Sequence, residues 1–246
     1  MATPRLRMFA GPNGSGKSTL KAVLPEALLG VYLNPDEIER QIQRQRFLEF
    51  GSYGITATEQ EVLRFFRVSN FLISTGHSRA LERLGFAQGR LVFEELAVDS
   101  YIASVAVDFL RQKLLEQKSS LTLETVMSHP SKVSLLQEAQ NMGYRTYLYY
   151  IATDDPAINV SRVRYRVEKE GGHPVPEDKI ISRYYRSLEL LIDAIQWTNR
   201  AYIFDNSGDN REHIWIAEIT DGKILELKAD QVPAWFKRAV IEKISG

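Results

Sequence analysis

The residues best suited to chemistry lie near the start of the chain, where one segment fits the pattern Gly-x-x-x-x-Gly-Lys-Ser/Thr without a mismatch. The segment and the residue after it are Gly11, Pro12, Asn13, Gly14, Ser15, Gly16, Lys17, Ser18 and Thr19. A glycine-rich turn that opens a helix presents several backbone N–H groups to one point, at the positive end of the helix dipole. The pattern therefore predicts a nucleoside triphosphate site, with Lys17 on the outer phosphates and the Ser18 hydroxyl as a ligand of Mg²⁺.

The flanking sequence supplies the elements that such a loop needs. Residues 5–10 are mostly apolar and predict a short buried strand, and residues 18–29 predict a helix. Glycines are required between them because a Cβ would block close approach of the backbone to phosphate. A chance match in a glycine-rich turn is the alternative, and the strand and helix on either side argue against it.

Composition narrows the class of protein. The chain has 246 residues, of which 44% are hydrophobic and 25% charged, as in an ordinary globular domain. Its 31 basic and 31 acidic residues balance, which argues against broad nucleic-acid binding. There is no cysteine, so disulfides, zinc-thiolate sites and thiol nucleophiles are excluded. No signal-peptide core and no apolar run near the ~20 residues of a membrane span is present, and the expected location is the cytoplasm.

The rest of the chain predicts alternating strands and helices. Predicted strands are 31–33, 120–125, 144–152 and 202–204, and predicted helices are 37–50, 56–84, 100–117, 131–142, 156–170 and 177–197. Residues 91–98 fit either a strand or a helix. An Asp221-Gly222 pair between runs 214–220 and 223–227 predicts a hairpin with a type I′ turn, before a last helix at 231–244. Alternation of this kind predicts an α/β fold with a mainly parallel, helix-covered sheet.

Carboxylates follow two of the predicted strands. Asp36 comes after the second strand and Glu124 ends the third, and ligands of open α/β sheets bind at this edge. Glu124 could hold substrate or, through water, Mg²⁺, and Thr125 beside it could hydrogen-bond substrate. The alternatives are structural: Asp36 as the cap of the next helix, and Glu124 as an exposed cap of the helix that follows it.

Arginines gather on the two helices that flank a Gly-Gly-His-x-Val-Pro segment. Arg162 and Arg166, at i and i+4, share one helix face, while Arg164 points away, and Arg183 lies on the next helix. Arginines that close over phosphates would stabilise the charge of a transition state and exclude water. The alternative is a solvated basic face paired with nearby carboxylates.

Five motifs in this order resemble the zeta-toxin-like P-loop kinases, in the branch with the Gly-Gly-His-x-Val-Pro signature. They are AGPNGSGKST (10–19), NPDEI (34–38), LTLETVMS (121–128), RVRYRVEKEGGHPVPEDKIISRYYRSL (162–188) and IFDNSG (203–208). The resemblance covers residues 5–40 and 118–208. It leaves out the mostly helical segment 41–117 and the residues after about 210.

The resemblance implies an adenylate-kinase-like, three-layer α/β/α P-loop core. Residues 1–246 would form one kinase domain, with a helical insert at 41–117 and a C-terminal hairpin and helix at 209–246. It implies ATP and Mg²⁺, and transfer of the γ-phosphoryl group to a hydroxyl of a small molecule. Characterised zeta toxins use UDP-N-acetylglucosamine and are restrained by an antitoxin. It also implies that Asp36 deprotonates the acceptor and that Asn206 contacts adenine.

Other classes fit parts of the pattern. A P-loop ATPase of the transporter or repair type would need a Leu-Ser-Gly-Gly-Gln signature and an apolar strand ending in Asp-Glu, and neither is present. A 5′-hydroxyl kinase of nucleic acids is disfavoured by the neutral charge. A module that binds nucleotide without turnover is disfavoured because Lys17, Ser18, Asp36 and Glu124 occur together. The insert is either a substrate-recognition cap or a surface for a partner.

Overall fold

A computed structural model of the 246-residue chain describes residues 3–22, 24–93, 96–170, 174–208 and 213–244. The chain divides into two compact units. The first unit combines Met1–Gly30 with Thr122–Gly246, and the second unit is the continuous segment Val31–Leu121. No helix in the described residues is long and apolar enough to cross a membrane.

The strands are short except at the centre of the first unit. In chain order they are β1 (Arg5–Ala10), β2 (Val31–Leu33), β3 (Phe47–Glu49), β4 (Gly85–Ala87), β5 (Arg90–Val92), β6 (Leu121–Thr125), β7 (Arg145–Ala152), β8 (Arg200–Asp205), β9 (Ile214–Thr220) and β10 (Ile224–Leu227). In the first unit the strands lie side by side in the order β10-β9-β8-β7-β1-β6. β7 runs parallel to both β1 and β8, while β9 is antiparallel to β8 and β10. The mainly parallel sheet predicted from the sequence is confirmed.

The helices connect these strands. They are α1 (Lys17–Lys21), α2 (Glu26–Leu29), α3 (Pro35–Gln45), α4 (Glu59–Arg67), α5 (Asn70–Ser74), α6 (Ser78–Leu81), α7 (Ser100–Glu116), α8 (Ser131–Asn141), α9 (Pro156–Glu170), α10 (Glu177–Glu189), α11 (Leu191–Gln196), α12 (Ala234–Phe236) and α13 (Glu242–Ile244). A 3₁₀ turn spans Phe50–Tyr53, and a π-helical stretch, Lys237–Ile241, joins α12 to α13.

Apolar side chains cover both faces of the first unit's sheet. On one face Phe9 and Ile151 pack with Leu20 of α1 and Leu29 of α2 in a buried cluster. On the opposite face the hydroxyl of Tyr150, which is fully buried, lies 3.0 Å from Ser187 Oγ of α10. Because helices pack on both faces, the α/β architecture expected from the sequence is confirmed.

The second unit has, besides its helices, a small three-stranded sheet that was not predicted from the sequence. β5 pairs antiparallel with β3 and β4. The predicted helix 37–50 ends at Gln45 because Arg46 adopts a left-handed φ of 66°, and the chain continues as β3. Residues 85–87 form β4, and the ambiguous segment 91–98 begins within β5. Phe50 and Phe109 meet edge-to-face at 5.3 Å in the core of this unit.

Four further predicted helices are shorter or interrupted in the structure. The helix expected over 18–29 is split into α1 and α2, and Pro25 is the residue before α2. The helix expected over 56–84 is three helices, since Ser69 caps a new start at α5 and Gly76 takes a φ of 83°. The helix at 177–197 divides between α10 and α11 at Leu190. The last helix begins at Ala234 rather than 231, directly after Pro233.

The C-terminal hairpin forms as the Asp-Gly pair predicts. Asp221 and Gly222 have positive φ values of 49° and 64°, and the Lys223 N–H donates to Thr220 O across the turn at 3.0 Å. These are the φ signs of a type I′ turn. Gly222 also abuts α11, because a Cβ there would lie 2.8 Å from Gln196 Cα. The turn therefore has both a conformational and a packing reason for glycine.

Candidate phosphate-binding site

The loop between β1 and α1 folds around its own lysine. Lys17 is buried, and its ammonium group donates to Gly11 O and to Pro12 O, each at 2.9 Å. Gly16, the residue before α1, has a left-handed φ of 100°, which glycine adopts without strain. The loop thus places a positive charge and the first N–H groups of α1 at one point.

The walls of this loop come from three later parts of the first unit. A Cβ on Gly11 would lie 2.0 Å from Ile151 O at the end of β7. A Cβ on Gly14 would lie 2.7 Å from the carbonyl oxygen of Asn159 in α9, and one on Gly16 would lie 2.5 Å from Asn206 Nδ2 after β8. All three glycines are required for packing as well as for φ. The sequence pattern predicted why the loop needs glycines, but it did not predict which strands and helices enclose them.

Buried polar atoms without a partner lie in the loop and on α9. Among the described residues, the buried side-chain atoms that lack a hydrogen bond are Ser15 Oγ, Asn13 Oδ1, Arg166 Nε and Arg7 Nη1. Two of the four lie in the phosphate loop, and Ser15 is fully buried. An unmade hydrogen bond at a buried group costs about 1–3 kcal/mol. A phosphate, which offers several acceptor oxygens, fits the unpartnered donor Ser15 Oγ of the loop.

Ser18 and Glu124 meet at the start of α1. The Ser18 hydroxyl lies 3.3 Å and 3.5 Å from the two carboxylate oxygens of Glu124 in β6. Hydroxyl and carboxylate oxygens are ligands that suit Mg²⁺, which takes few ligands from the protein and the rest from water and phosphate. No group of three or more His, Cys, Asp or Glu in the described residues has metal-ligand geometry, so a cage built by protein alone is not found there. The pair fits an ion shared with phosphate.

Thr125 has a structural contact in addition to its predicted place near substrate. Its hydroxyl oxygen accepts from the Met127 N–H at 3.1 Å, and Met127 has a positive φ of 53°. Ser187 of α10 donates to Val126 O at 2.8 Å. Together these contacts hold the turn that follows β6.

The predicted arginines differ in their surroundings. Arg162 donates to Asn206 O at 2.7 Å and to Gly208 O at 2.9 Å, so it holds the loop after β8. Arg166 is half-buried, with its Nε unpartnered. Arg164 forms an exposed ion pair with Glu177 at 3.3 Å, as expected for a side chain that points away. Arg183 of α10 is half-buried.

The loop after β8 is itself held in place. Asp205 is buried, and its carboxylate accepts from Trp235 Nε1 at 2.8 Å, from Ser207 Oγ at 2.8 Å and from the Ser207 N–H at 3.0 Å. The amide of Asn206, predicted near adenine, donates to Ser15 O at 2.8 Å. Asn206 therefore contacts the backbone of the phosphate loop. His173 of the Gly-Gly-His-x-Val-Pro segment lies outside the described residues.

Asp36 does not cap its helix. It is the second residue of α3 in the second unit, and the cap is Asn34, whose Oδ1 accepts from the N–H groups of Asp36 at 2.9 Å and Glu37 at 3.3 Å. The structural alternative for Asp36 is therefore wrong, because the residue two positions earlier does the capping. The Asp36 side chain is exposed.

Two polar residues beside the loop were missed from the sequence. His213 lies with its Nε2 3.0 Å from Thr19 Oγ1, and burial lowers its pKa below the ordinary value, with a smaller lowering from the charge of Arg162. Asn159 donates to Asn13 O at 2.6 Å. His213 belongs to none of the five motifs, so no sequence pattern pointed to it. Asn159, three residues before Arg162, could have been suspected from its place on the same helix face.

Comparison with known proteins confirms the predicted resemblance. Residues 100–213 match the family model described as Zeta toxin. An uncharacterized protein of Haemophilus influenzae is 31% identical over 70 residues, which are 28% of this chain and 49% of that protein. The chain thus spans about half the length of this curated relative.

Solved structures share the fold. The AvrRxo1-ORF1:-ORF2 complex with ATP aligns over all of this chain and 64% of its own, with 15% identity and a TM-score of 0.54. The complex with sulphate ions gives the same TM-score over 92% of this chain and 61% of its own, with 14% identity. The PezAT toxin-antitoxin structure of Streptococcus pneumoniae aligns over 99% of this chain and 85% of its own, with 16% identity and a TM-score of 0.50. The chain therefore has an α/β fold similar to that of these structures.

Proposed function

We propose that this protein is an ATP-dependent kinase that transfers the γ-phosphoryl group of ATP to a hydroxyl of a small molecule. One observation carries the proposal: the phosphate loop brings the Lys17 ammonium, the Ser18–Glu124 pair and the unpartnered Ser15 hydroxyl to the first turn of α1. Phosphoryl transfer needs charge neutralisation and in-line positioning more than covalent chemistry. The family match and the ATP-bound structural neighbour support this reading.

Each residue has a role in the proposal. Gly11, Gly14, Gly16 and Lys17 hold the β- and γ-phosphates, and Ser18 with Glu124 would hold Mg²⁺, which would draw charge from the leaving oxygen. Asp36 accepts the proton of the attacking hydroxyl as its oxygen bonds to the γ-phosphorus and the bond to the β-phosphate oxygen breaks. Asp36 is available for this role because Asn34, not Asp36, caps α3. Arg166 and Arg183 supply positive charge to the transferring group, and Arg162 holds the loop that carries Asn206.

The identity of the molecule that accepts the phosphoryl group is a second part of the proposal. We take a nucleotide sugar such as UDP-N-acetylglucosamine as the first candidate, with Glu124 and Thr125 on its side of the site. A protein antitoxin is the proposed partner, because one neighbour is a toxin-antitoxin system. The cytoplasm, where both nucleotides occur, is the proposed compartment. A P-loop ATPase or a nucleotide-binding module without transfer is the alternative that the experiment must separate.

The test is incubation of the purified protein with ATP, Mg²⁺ and a panel of UDP-sugars, nucleosides and a metabolite extract, read by ³¹P NMR and mass spectrometry. We expect a new phosphorylated metabolite, absent with Lys17→Ala, which removes the charge at the phosphates. Asp36→Asn should still bind ATP and form no product. A product at wild-type rate from Asp36→Asn would remove Asp36 from the mechanism. Release of ADP and inorganic phosphate with every acceptor would favour the ATPase.

A further inference from the structure

A short chain of buried hydrogen bonds ties the phosphate loop to α9. The side-chain amide of Asn159 donates through Nδ2 to Asn13 O at 2.6 Å. Asn159 is fully buried, and its own carbonyl oxygen is the atom closest to the position that a Cβ on Gly14 would take. The loop backbone and the first turns of α9 are thus in direct contact at two successive residues of the loop.

The chain continues beyond Asn159 to the end of β7 and to α10. The hydroxyl of Thr153, also fully buried, donates to Asn159 Oδ1. The Thr153 carbonyl in turn accepts from the Tyr184 hydroxyl of α10 at 2.6 Å. Both helices that flank the Gly-Gly-His-x-Val-Pro segment are therefore linked to one point at the carboxyl end of the central strand.

The direction of these bonds fixes the orientation of the amide. Because the Asn13 carbonyl can only accept, it selects the NH₂ group of the Asn159 amide, and Asn159 Oδ1 then accepts from the Thr153 hydroxyl. A flipped amide would set the Asn159 oxygen against the Asn13 carbonyl oxygen, and the Thr153 hydroxyl, which also lies 3.3 Å from Asp155 O, would lose its acceptor on Asn159. Thr153 therefore acts on the phosphate loop through Asn159.

The same helix face carries the arginines of the proposed mechanism. Asn159, Arg162 and Arg166 are spaced by three and four residues, which puts them on one face of α9. Val163, between the two arginines, would lie 3.2 Å from a Cβ on Gly14. A shift of Asn159 relative to Asn13 would move this face, and with it both guanidinium groups, relative to the phosphates.

We propose that Asn159 is a positioning residue, held in its orientation by Thr153, which sets the phosphate loop and the arginine face of α9 in register for nucleotide binding. The inference rests on the proposed function for its effect on catalysis. Its effect on nucleotide affinity and on the loop backbone is independent of phosphoryl transfer.

The test compares Asn159→Asp with two variants at Thr153. Asn159→Asp keeps the shape of the side chain but replaces the donor by an acceptor that faces Asn13 O. We expect the dissociation constant for ATP with Mg²⁺, measured by isothermal titration calorimetry, to rise about tenfold or more. Thr153→Val, which removes the orienting hydroxyl, should move affinity in the same direction. Thr153→Ser, which keeps the hydroxyl, should restore it to within about twofold of the wild type.

The matched control is Asn141→Asp, the same chemical change at an exposed position at the end of α8. It should leave affinity and unfolding temperature unchanged. A wild-type dissociation constant in Asn159→Asp, or a normal affinity in Thr153→Val, would overturn the inference. A Thr153→Ser variant whose affinity for ATP is as low as that of Thr153→Val would also overturn the inference, because the effect would then come from the packing of Thr153 and not from its hydroxyl.

Hydrogen exchange separates this inference from the proposed function. If Asn159 holds the loop, the backbone amides of residues 13–17 should exchange faster in Asn159→Asp than in the wild type, while those of β7 keep their protection. A wild-type protein that binds ATP and transfers nothing would overturn the kinase and leave the inference standing on affinity. Unchanged exchange at residues 13–17 would overturn the inference whatever the activity.

Discussion

The two units use their polar side chains in different ways. In the first unit, polar groups from β6, β7, α9 and the loop after β8 meet the phosphate loop, and Ser15 Oγ there is left without a partner. In the second unit, the following polar side chains cap helices or hold neighbouring segments together. Thr58 and Glu61 form a capping box at α4, Arg46 donates to Phe93 O and Leu96 O, and His77 bonds Asp99.

The difference distinguishes polar groups that can bind a ligand from polar groups that only stabilise the fold. Buried polar groups are costly unless they are paired, and unpaired ones mark places where a ligand completes the set. In the second unit the capping contacts stabilise helices and point to no ligand. Substitutions at the polar contacts of the phosphate loop should therefore change nucleotide binding, and substitutions at these capping contacts of the second unit should change only the free energy of unfolding.

The largest contrast is expected between two glycines. Gly11→Ala introduces a Cβ 2.0 Å from Ile151 O at a φ of 144°, whereas a Cβ on Gly51 of the second unit meets nothing within 4 Å. Strain of this kind costs on the order of 3 kcal/mol, which corresponds to about 100-fold in ATP affinity if it is relieved by moving the loop. Titration calorimetry with Gly51→Ala as control measures it. Equal affinities in the two variants would contradict the enclosed loop.

The next contrast compares two tryptophans of the first unit. Trp235→Phe removes the donor to the buried carboxylate of Asp205, which should lower the free energy of unfolding by about 1–3 kcal/mol. Trp215 is 40% exposed, and Trp215→Phe should change it by about 0.5 kcal/mol or less. Urea denaturation measures both. A similar loss in the two variants would show that Asp205 does not depend on the C-terminal segment.

A smaller effect is expected at the capping box of the second unit. Thr58→Ala removes the hydroxyl that accepts from the Glu61 N–H, and the cost should be about 1 kcal/mol. ATP affinity should stay unchanged. The control is Thr56→Ala at an exposed position two residues earlier. If Thr58→Ala weakened ATP binding more than Thr56→Ala does, the division between the units would be wrong.

The smallest effect is a pH dependence from His213. Burial holds the pKa of this imidazole below its ordinary value of 6.5 in the folded protein. The folded state therefore binds fewer protons than the unfolded state as the pH falls below 6.5, and this contribution to stability is present above that pH and lost below it. His213→Gln should flatten the decline in the free energy of unfolding, and His129→Gln, at an exposed position, should not. If the free energy of unfolding of His213→Gln fell with pH in parallel with that of the wild type, this prediction would be wrong.

Local features were predictable from the sequence, and distant contacts were not. The phosphate loop, the strand before it and the Asp-Gly hairpin depend on residues close together in the chain. The start of α3 shows what a local sequence pattern leaves open. Asn34 and Asp36 are both residue types that cap helices, and in the structure Asn34 is the cap. β3, β4 and β5 are three residues each, too short to show a period of two.

The contacts that complete the site span most of the chain. Asn13 and Asn159 are 146 positions apart, and Thr19 and His213 are 194 apart. A polar residue at such a distance has no signature in a single sequence until the fold brings it to its partner. The residues that enclose the glycines were missed for the same reason.

The order of the strands has a consequence for how the protein is made. β1 emerges from the ribosome long before β7, yet the described register pairs Arg5 with Arg145 and Leu6 with Thr146 on β7. The second unit is one uninterrupted segment and can collapse while β7 is still being synthesised. β1 cannot pair with β7 until about 140 further residues have been synthesised, and such a long loop closure slows folding. A nascent chain released before residue 152 therefore carries the complete glycine-lysine motif and has no nucleotide site.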